Sequence, residues 1–170
     1  MRHAIHTLLY IYMTKITILS LLLAIATVSA LAQTDRKKNS VAPPAKRVLK
    51  SLGLAGKTPI AAGNGIWSVA DGTTIYASEA FCNDINGFGG PTPLFIAIAK
   101  SGKISAVAPG DNNETPDNWS KVVHSKLFKS WNGMTAKQAA AAKVDAVTGA
   151  TYSSTAVIQT IKATLKKIDK

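Results

Sequence analysis

The sequence predicts an α+β domain, an antiparallel β-meander followed by helices. Three observations carry the prediction. Four short strand-like runs, residues 66–70, 74–81, 93–99 and 103–108, are set off by turn residues, with Asp71-Gly72 and Ser101-Gly102 inside the two pairs. Beyond residue 118 the apolar residues recur at helical spacing instead. The 170 residues fit one domain with a real core. Strands first and helices after is the order of an α+β fold.

Residues 1–32 read as an export signal. The apolar run 16–26 follows Lys15 and leads to Ala30-Leu31-Ala32, an Ala-x-Ala cleavage pattern before Gln33. Met13-Thr14-Lys15 is a compact basic start, so Met13 competes with Met1 as the true first residue. The alternative is an uncleaved N-terminal anchor, because residues 16–32 reach the lower limit of about 17 residues for a membrane span. The Ala-x-Ala end and the Ser and Thr residues within the run favour cleavage. No cysteine follows the run, so lipoprotein anchoring has no support. Both readings place the domain outside the cytoplasm, in the periplasm or on the outer face of the cytoplasmic membrane.

Residues 33–56 form a basic flexible linker that bears Pro43-Pro44, with room for a short helix over 45–52 stopped by Gly53. The domain proper is 57–170, and its first residues, 57–65, are small and turn-rich. In the run 93–99, Leu94, Ile96 and Ile98 alternate with Phe95, Ala97 and Ala99, so this strand is expected to be covered on both faces. Residues 86–91 join the two strand pairs and hold Gly87, Gly89 and Gly90, which open backbone conformations closed to other residues. Such turns also occur without a ligand.

A polar loop, 109–117, precedes a helix over 119–131 with Val122, Val123, Leu127, Phe128 and Trp131 on one side. An alanine-rich helix over 135–143 follows, capped by Thr135. The last helix places Val157, Ile158, Ile161, Leu165 and Ile168 on one stripe. Lys162, Lys166, Lys167 and Lys170 crowd its far end, where cations suit the helix dipole.

Before that helix stands Asp145-Ala146-Val147-Thr148-Gly149-Ala150-Thr151, then Tyr152-Ser153-Ser154. Free amides and the positive end of the dipole make a helix N-terminus a good place for a phosphate. Spacing alone favours a plainer reading, in which Asp, Ser or Thr merely caps the helix. The pattern Asp-x-x-Thr-Gly-Ala-Thr, however, resembles the flavinylation motif of the FMN-binding domain family, which includes the C subunit of the sodium-pumping NADH:quinone reductase and the G subunit of the Rnf complex. The likeness extends upstream in the same order: Gly87-Phe88-Gly89-Gly90, an apolar strand, Ser101-Gly102-Lys103-Ile104 and Asn113-Glu114-Thr115-Pro116, about residues 66–168 in all. Phe88 departs from it, since the family often has Tyr there.

The resemblance implies covalent FMN at the N-terminus of the last helix, as a phosphoester on Thr151. Asp145, Thr148, Gly149 and Ala150 complete the motif, and Glu114, Thr115, Pro116, Gly89 and Gly90 are the further cofactor-binding candidates. A flavin transferase would supply FMN from FAD and release AMP. Asp145 suits a phosphate poorly, like charges repelling, and reads better as a backbone cap or a residue the transferase recognises. Trp119 and Trp131 read as core or rim aromatics, one of them a candidate for a flavin edge. No catalytic or metal-binding residues are assigned.

Composition narrows the alternatives. Lys and Arg number 20 against 9 Asp and Glu, for a net charge of +11. The linker 33–56 holds six basic residues against one acidic, and residues 57–170 hold twelve against eight. Much of the excess therefore precedes the domain and is not interleaved with aromatics, so specific nucleic-acid binding is not expected, and a solvated or membrane-surface linker fits better. The single cysteine, Cys82, allows no intrachain disulfide and reads as a small apolar residue. His124 is the only histidine outside the leader and no nucleophile elbow is present, which leaves a Ser or Thr hydrolase without its parts. Two functions remain: an exported electron-carrier flavoprotein that meets redox partners or a membrane complex, and a non-redox periplasmic binding or structural module of the same fold without flavin.

Overall fold

In the computed structural model, which describes residues 40–82 and 84–169, five strands pair in chain order as one antiparallel sheet: β1 (Ile60–Gly63), β2 (Ile66–Ser68), β3 (Thr74–Ala77), β4 (Leu94–Ile98) and β5 (Ile104–Pro109). Three helices follow, α2 (Pro116–His124), α3 (Ala136–Ala141) and α4 (Thr151–Ile168), and a short one, α1 (Lys46–Ser51), precedes the sheet. The arrangement is the predicted α+β one. Residues Val41–Lys170 form one compact unit. Everything read into residues 1–32, the export signal and both candidate starts included, lies outside the described residues. Among the described residues, no helix is long and apolar enough to cross a membrane.

Strand β4 is covered on both faces, as its unbroken apolar run requires. Leu94 and Ile96 join one core cluster with Val122, Trp131, Val157, Ile161 and Leu165 of the helical side. Phe95 and Ala97 join a second, with Trp67 and Ile75 of the sheet and Val48, Leu49, Leu52 and Leu54 of the α1 region. That second cluster corrects the linker boundary. Residues 41–56 belong to the folded unit, because positions 48, 49 and 52 share one helix face and the sheet's second face needs a cover. Lys46, Arg47 and Lys50 remain exposed on the outer side, where Arg47 pairs with Asp111.

The stretch 57–65, read as small and turn-rich, contains β1. All four of its residues are exposed, so no apolar alternation advertises it. Strand β3 stops at Ala77, earlier than the expected 81, in a 3-10 turn, Ser78–Ala80. The buried Ser78 hydroxyl accepts from the Leu94 amide (2.9 Å) and so anchors the start of β4. A bulge in β5 shifts the register between Ala97↔Ala106 and Ile98↔Ile104, which lets Ile104 and Val107 face the same core despite their odd spacing. The outer edge of β5 is covered by the segment before α3: the Ile104 amide donates to the Met134 carbonyl (2.8 Å) and the Gly133 amide to the Ile104 carbonyl (2.8 Å). At the other end of the meander, the Asp71 carboxylate accepts from the Thr73 amide (2.9 Å), and this bond holds its pKa below the usual value.

The single helix expected over 119–131 is two elements. Pro116 starts α2 earlier, at a position where its missing N–H costs nothing. Ser125 ends the helix: its hydroxyl donates to the Val122 carbonyl (2.7 Å) and accepts from the Leu127 amide (3.1 Å), leaving a 3-10 turn, Leu127–Lys129. Val123 consequently points to solvent, whereas Val122, Leu127 and Trp131 are buried. Cys82 is half-buried, its thiol 3.4 Å from the Thr164 hydroxyl.

Thr135 caps α3 as expected, within a full capping box shared with Gln138. Thr135→Ala is expected to lower stability by about 1 kcal/mol, readable as a small fall in unfolding midpoint with no change in flavin content. The apolar stripe of α4 packs as read: Val157, Ile158, Ile161 and Leu165 are buried and Ile168 lies partly buried against them.

Candidate functional site

The residues preceding α4 form a tight turn. Val144 and Val147 pack against the core, and the Ala150 amide returns to the Val147 carbonyl (3.0 Å). Gly149 takes φ +74°, a conformation that favours glycine at this bend. Ser154, one turn into the helix, ties the bend down: its hydroxyl accepts from the Val147 amide (2.9 Å) and donates to the Ala150 carbonyl (2.8 Å). Thr151 is the first helical residue and is exposed.

The plain capping reading fails on this geometry. The residue at the N-cap is Ala150, and no side chain caps α4. An exposed Thr151 hydroxyl thus stands beside leading amides to which the chain supplies no capping oxygen, at the positive end of an 18-residue helix. A phosphate group on Thr151 fits this arrangement, since its oxygens would stand in for the missing cap.

Phe88, Asn118, Tyr152 and the segment 149–151, with Ser153, line a groove of ≈ 250 Å³ around this point. The groove is held together by Glu114. This carboxylate is 7 % exposed. One oxygen accepts from the Gly89 amide (2.9 Å) and the other from the Ser153 hydroxyl in a short bond. The Gly-rich loop and the start of α4 are thereby pinned to a single buried side chain. Gly89 is obligatory for this approach, because a Cβ there would sit 1.9 Å from the Asn113 carbonyl oxygen. The loop itself is closed by a Gly87 amide bond to the Gly90 carbonyl (2.8 Å). Thr115 and Pro116 begin α2, with the Thr115 carbonyl accepting from the Trp119 amide (2.9 Å).

Lys121, on the same face of α2 as Asn118 at i, i+3 spacing, reaches the motif turn, its ammonium 3.3 Å from the Gly149 carbonyl oxygen. It is a positive charge beside the expected position of a phosphate.

The other sequence-predicted residues separate. Asp145 is exposed, makes no hydrogen bond or ion pair among the described residues, and lines a different groove of ≈ 480 Å³ with Lys126, Lys143 and Val147. Thr148 is exposed on the turn. Trp131 is fully buried in the core, and Trp119 packs edge-on against Phe128 with ring centroids 6.3 Å apart. Neither tryptophan lines the groove at Thr151. His124 turns back onto its own helix at Ser120.

Sequence reading missed Ser153, Asn118, Lys121 and Tyr152 as site residues. For Ser153 and Tyr152 the signal was adjacency to the motif. For Lys121 and Asn118 it was their shared helix face, which points nowhere until the tertiary fold is known.

Comparison with curated proteins returns no match. The family model of the FMN-binding domain matches residues 87–166. That span opens at the Gly-rich loop, contains Glu114, Lys121 and the motif turn, and runs through most of α4, so it encloses the entire groove. Residues 87–166 thus resemble the FMN-binding domain family, and the match supports a flavin-binding role for the chain.

Proposed function

We infer that the protein is an exported flavoprotein that carries FMN as a phosphoester on Thr151 and acts as an electron carrier outside the cytoplasm. The observation that carries the reading is the exposed Thr151 at an uncapped helix N-terminus, inside a full Asp-x-x-Thr-Gly-Ala-Thr match. Export rests on the apolar run and the Ala-x-Ala pattern of residues 16–32.

In the attachment step, the Thr151 oxygen attacks the flavin-side phosphorus of FAD. A new P–O bond forms, the pyrophosphate P–O bond breaks, AMP leaves and the hydroxyl proton is lost. The reaction belongs to a flavin transferase; this chain contributes the acceptor and its presentation. Asp145 and Thr148, exposed and unbonded, are available for the transferase to read. Once the ester is formed, the leading amides of α4 and the Lys121 ammonium face its negative charge. Bound FMN supplies the redox chemistry. The tether keeps the cofactor where free flavin is scarce, whatever the noncovalent affinity.

Intact mass of protein isolated from its native host tests both parts. The expected species begins at Gln33 and carries one FMN. A full-length, flavin-free species would overturn the reading in favour of a non-redox module.

A further inference from the structure

Four large apolar side chains are exposed among the described residues: Ile60, Phe88, Val123 and Tyr152. Ile60 lies on the edge strand and Val123 on the outer side of α2, and single exposures of this kind need no explanation. Phe88 and Tyr152 differ. They come from distant parts of the chain, are 71 % and 77 % exposed, and line the same groove beside Thr151.

Folding does not account for them. Neither ring belongs to a core cluster or packs against another aromatic ring. The Gly-rich loop is positioned by its backbone and by Glu114, not by the Phe88 side chain. Tyr152 sits on the first turn of α4, whose packing comes from Ser153, Ser154 and the residues after them. Two aromatic rings left in water at one groove are a surface awaiting a flat, apolar cover.

We propose that Phe88 and Tyr152 are the residues on which the isoalloxazine ring of FMN stacks. This rests on the flavin reading above and adds to it. A phosphoester on Thr151 holds one end of the cofactor, and the flexible ribityl chain leaves the ring unoriented. All three tryptophans are committed elsewhere, Trp67 and Trp131 in the two core clusters and Trp119 against Phe128, so Phe88 and Tyr152 are the aromatic side chains available at the groove. Each stacked ring should raise the ratio of ordered to free flavin ring roughly 2- to 12-fold.

The test co-expresses the full chain with a flavin transferase as wild type, Phe88→Ala, Tyr152→Ala, the double variant and Tyr152→Phe. Intact mass reports attachment. Flavin fluorescence anisotropy and visible circular dichroism, in native and denatured samples, report whether the ring is held. In the wild type, anisotropy and dichroism should be high and collapse on denaturation. Each alanine variant should lose part of that difference and the double variant most of it, while Tyr152→Phe keeps it. Phe88→Ala lies outside the motif, which separates ring contact from whatever the transferase reads around Thr151. Melting temperatures of the flavin-free proteins should be unchanged, since both rings are exposed. A modified double variant with wild-type anisotropy and dichroism overturns the stacking and leaves the flavin reading intact. A wild type that takes no FMN overturns both.

Discussion

Thr151→Ala should fold normally and remain free of FMN. The hydroxyl is exposed and makes no hydrogen bond that its loss would break. Alanine is a better helix former than threonine, and no cap is lost because none exists at this end. Stability should therefore stay within about 0.5 kcal/mol of wild type. The chemical effect is all-or-none, since no phosphoester can form without the oxygen. Co-expression with a flavin transferase, followed by a denaturing gel viewed for flavin fluorescence, should show a bright wild-type band and a dark variant band. Peptide mass spectrometry should place the wild-type adduct on residue 151. A fluorescent Thr151→Ala band would move the attachment to another hydroxyl. Ser153 and Ser154 are poor substitutes, being buried and already bonded to Glu114 and to the Ala150 carbonyl.

Glu114→Ala should produce the other large effect, and it should act on structure. The substitution leaves two donors, the Gly89 amide and the Ser153 hydroxyl, without their partner in a buried place. Each such group costs about 1–3 kcal/mol, partly offset by no longer burying a carboxylate, so a loss of about 2–4 kcal/mol is expected. That is a large part of an ordinary domain's stability of roughly 5–15 kcal/mol. Glu114→Gln should recover most of it, because the amide oxygen can accept from Gly89 while the amide nitrogen donates to Ser153. Gly89→Ala attacks the same junction sterically and should be comparably damaging, with its new Cβ 1.9 Å from the Asn113 carbonyl oxygen. Urea unfolding of the four proteins orders them. Equal midpoints for wild type and Glu114→Ala would show that the carboxylate does not hold the loop to the helix.

What could be read before the structure divides along physical lines. The two-faced strand β4, the capped helix α3 and the stripe of α4 were legible because burial there imprints a period on the sequence. Strand β1 was not, since all four of its residues are exposed and only Asn64-Gly65, a hairpin dipeptide, hinted at a partner for β2. Helix α1 was read as a short helix over 45–52, but its lysines and arginine made the segment look like linker, so its packing on the sheet through Val48 and Leu49 was not. At the site, the motif marked Thr151 and the turn. The Glu114 bridge could not be inferred, because residues 89, 114 and 153 meet only through tertiary packing. The motif likewise gave no sign that Asp145 opens onto a different groove from Thr151.

The bonds around Thr151 also bear on the order of maturation. Ser154 already closes the turn and Glu114 already joins the loop to the helix, using groups of the chain alone. A protein whose core is built around its cofactor must acquire that cofactor while folding. Here the hydrophobic clusters and the acceptor bend need nothing from FMN, and the acceptor oxygen stays at the surface. On the function proposed above, loading can then be the last event, carried out on a finished domain after export. The transferase would meet a rigid bend in place of a loose peptide. Flavin content would then report how much of the population had folded, making the yellow colour of a preparation a readout of its quality.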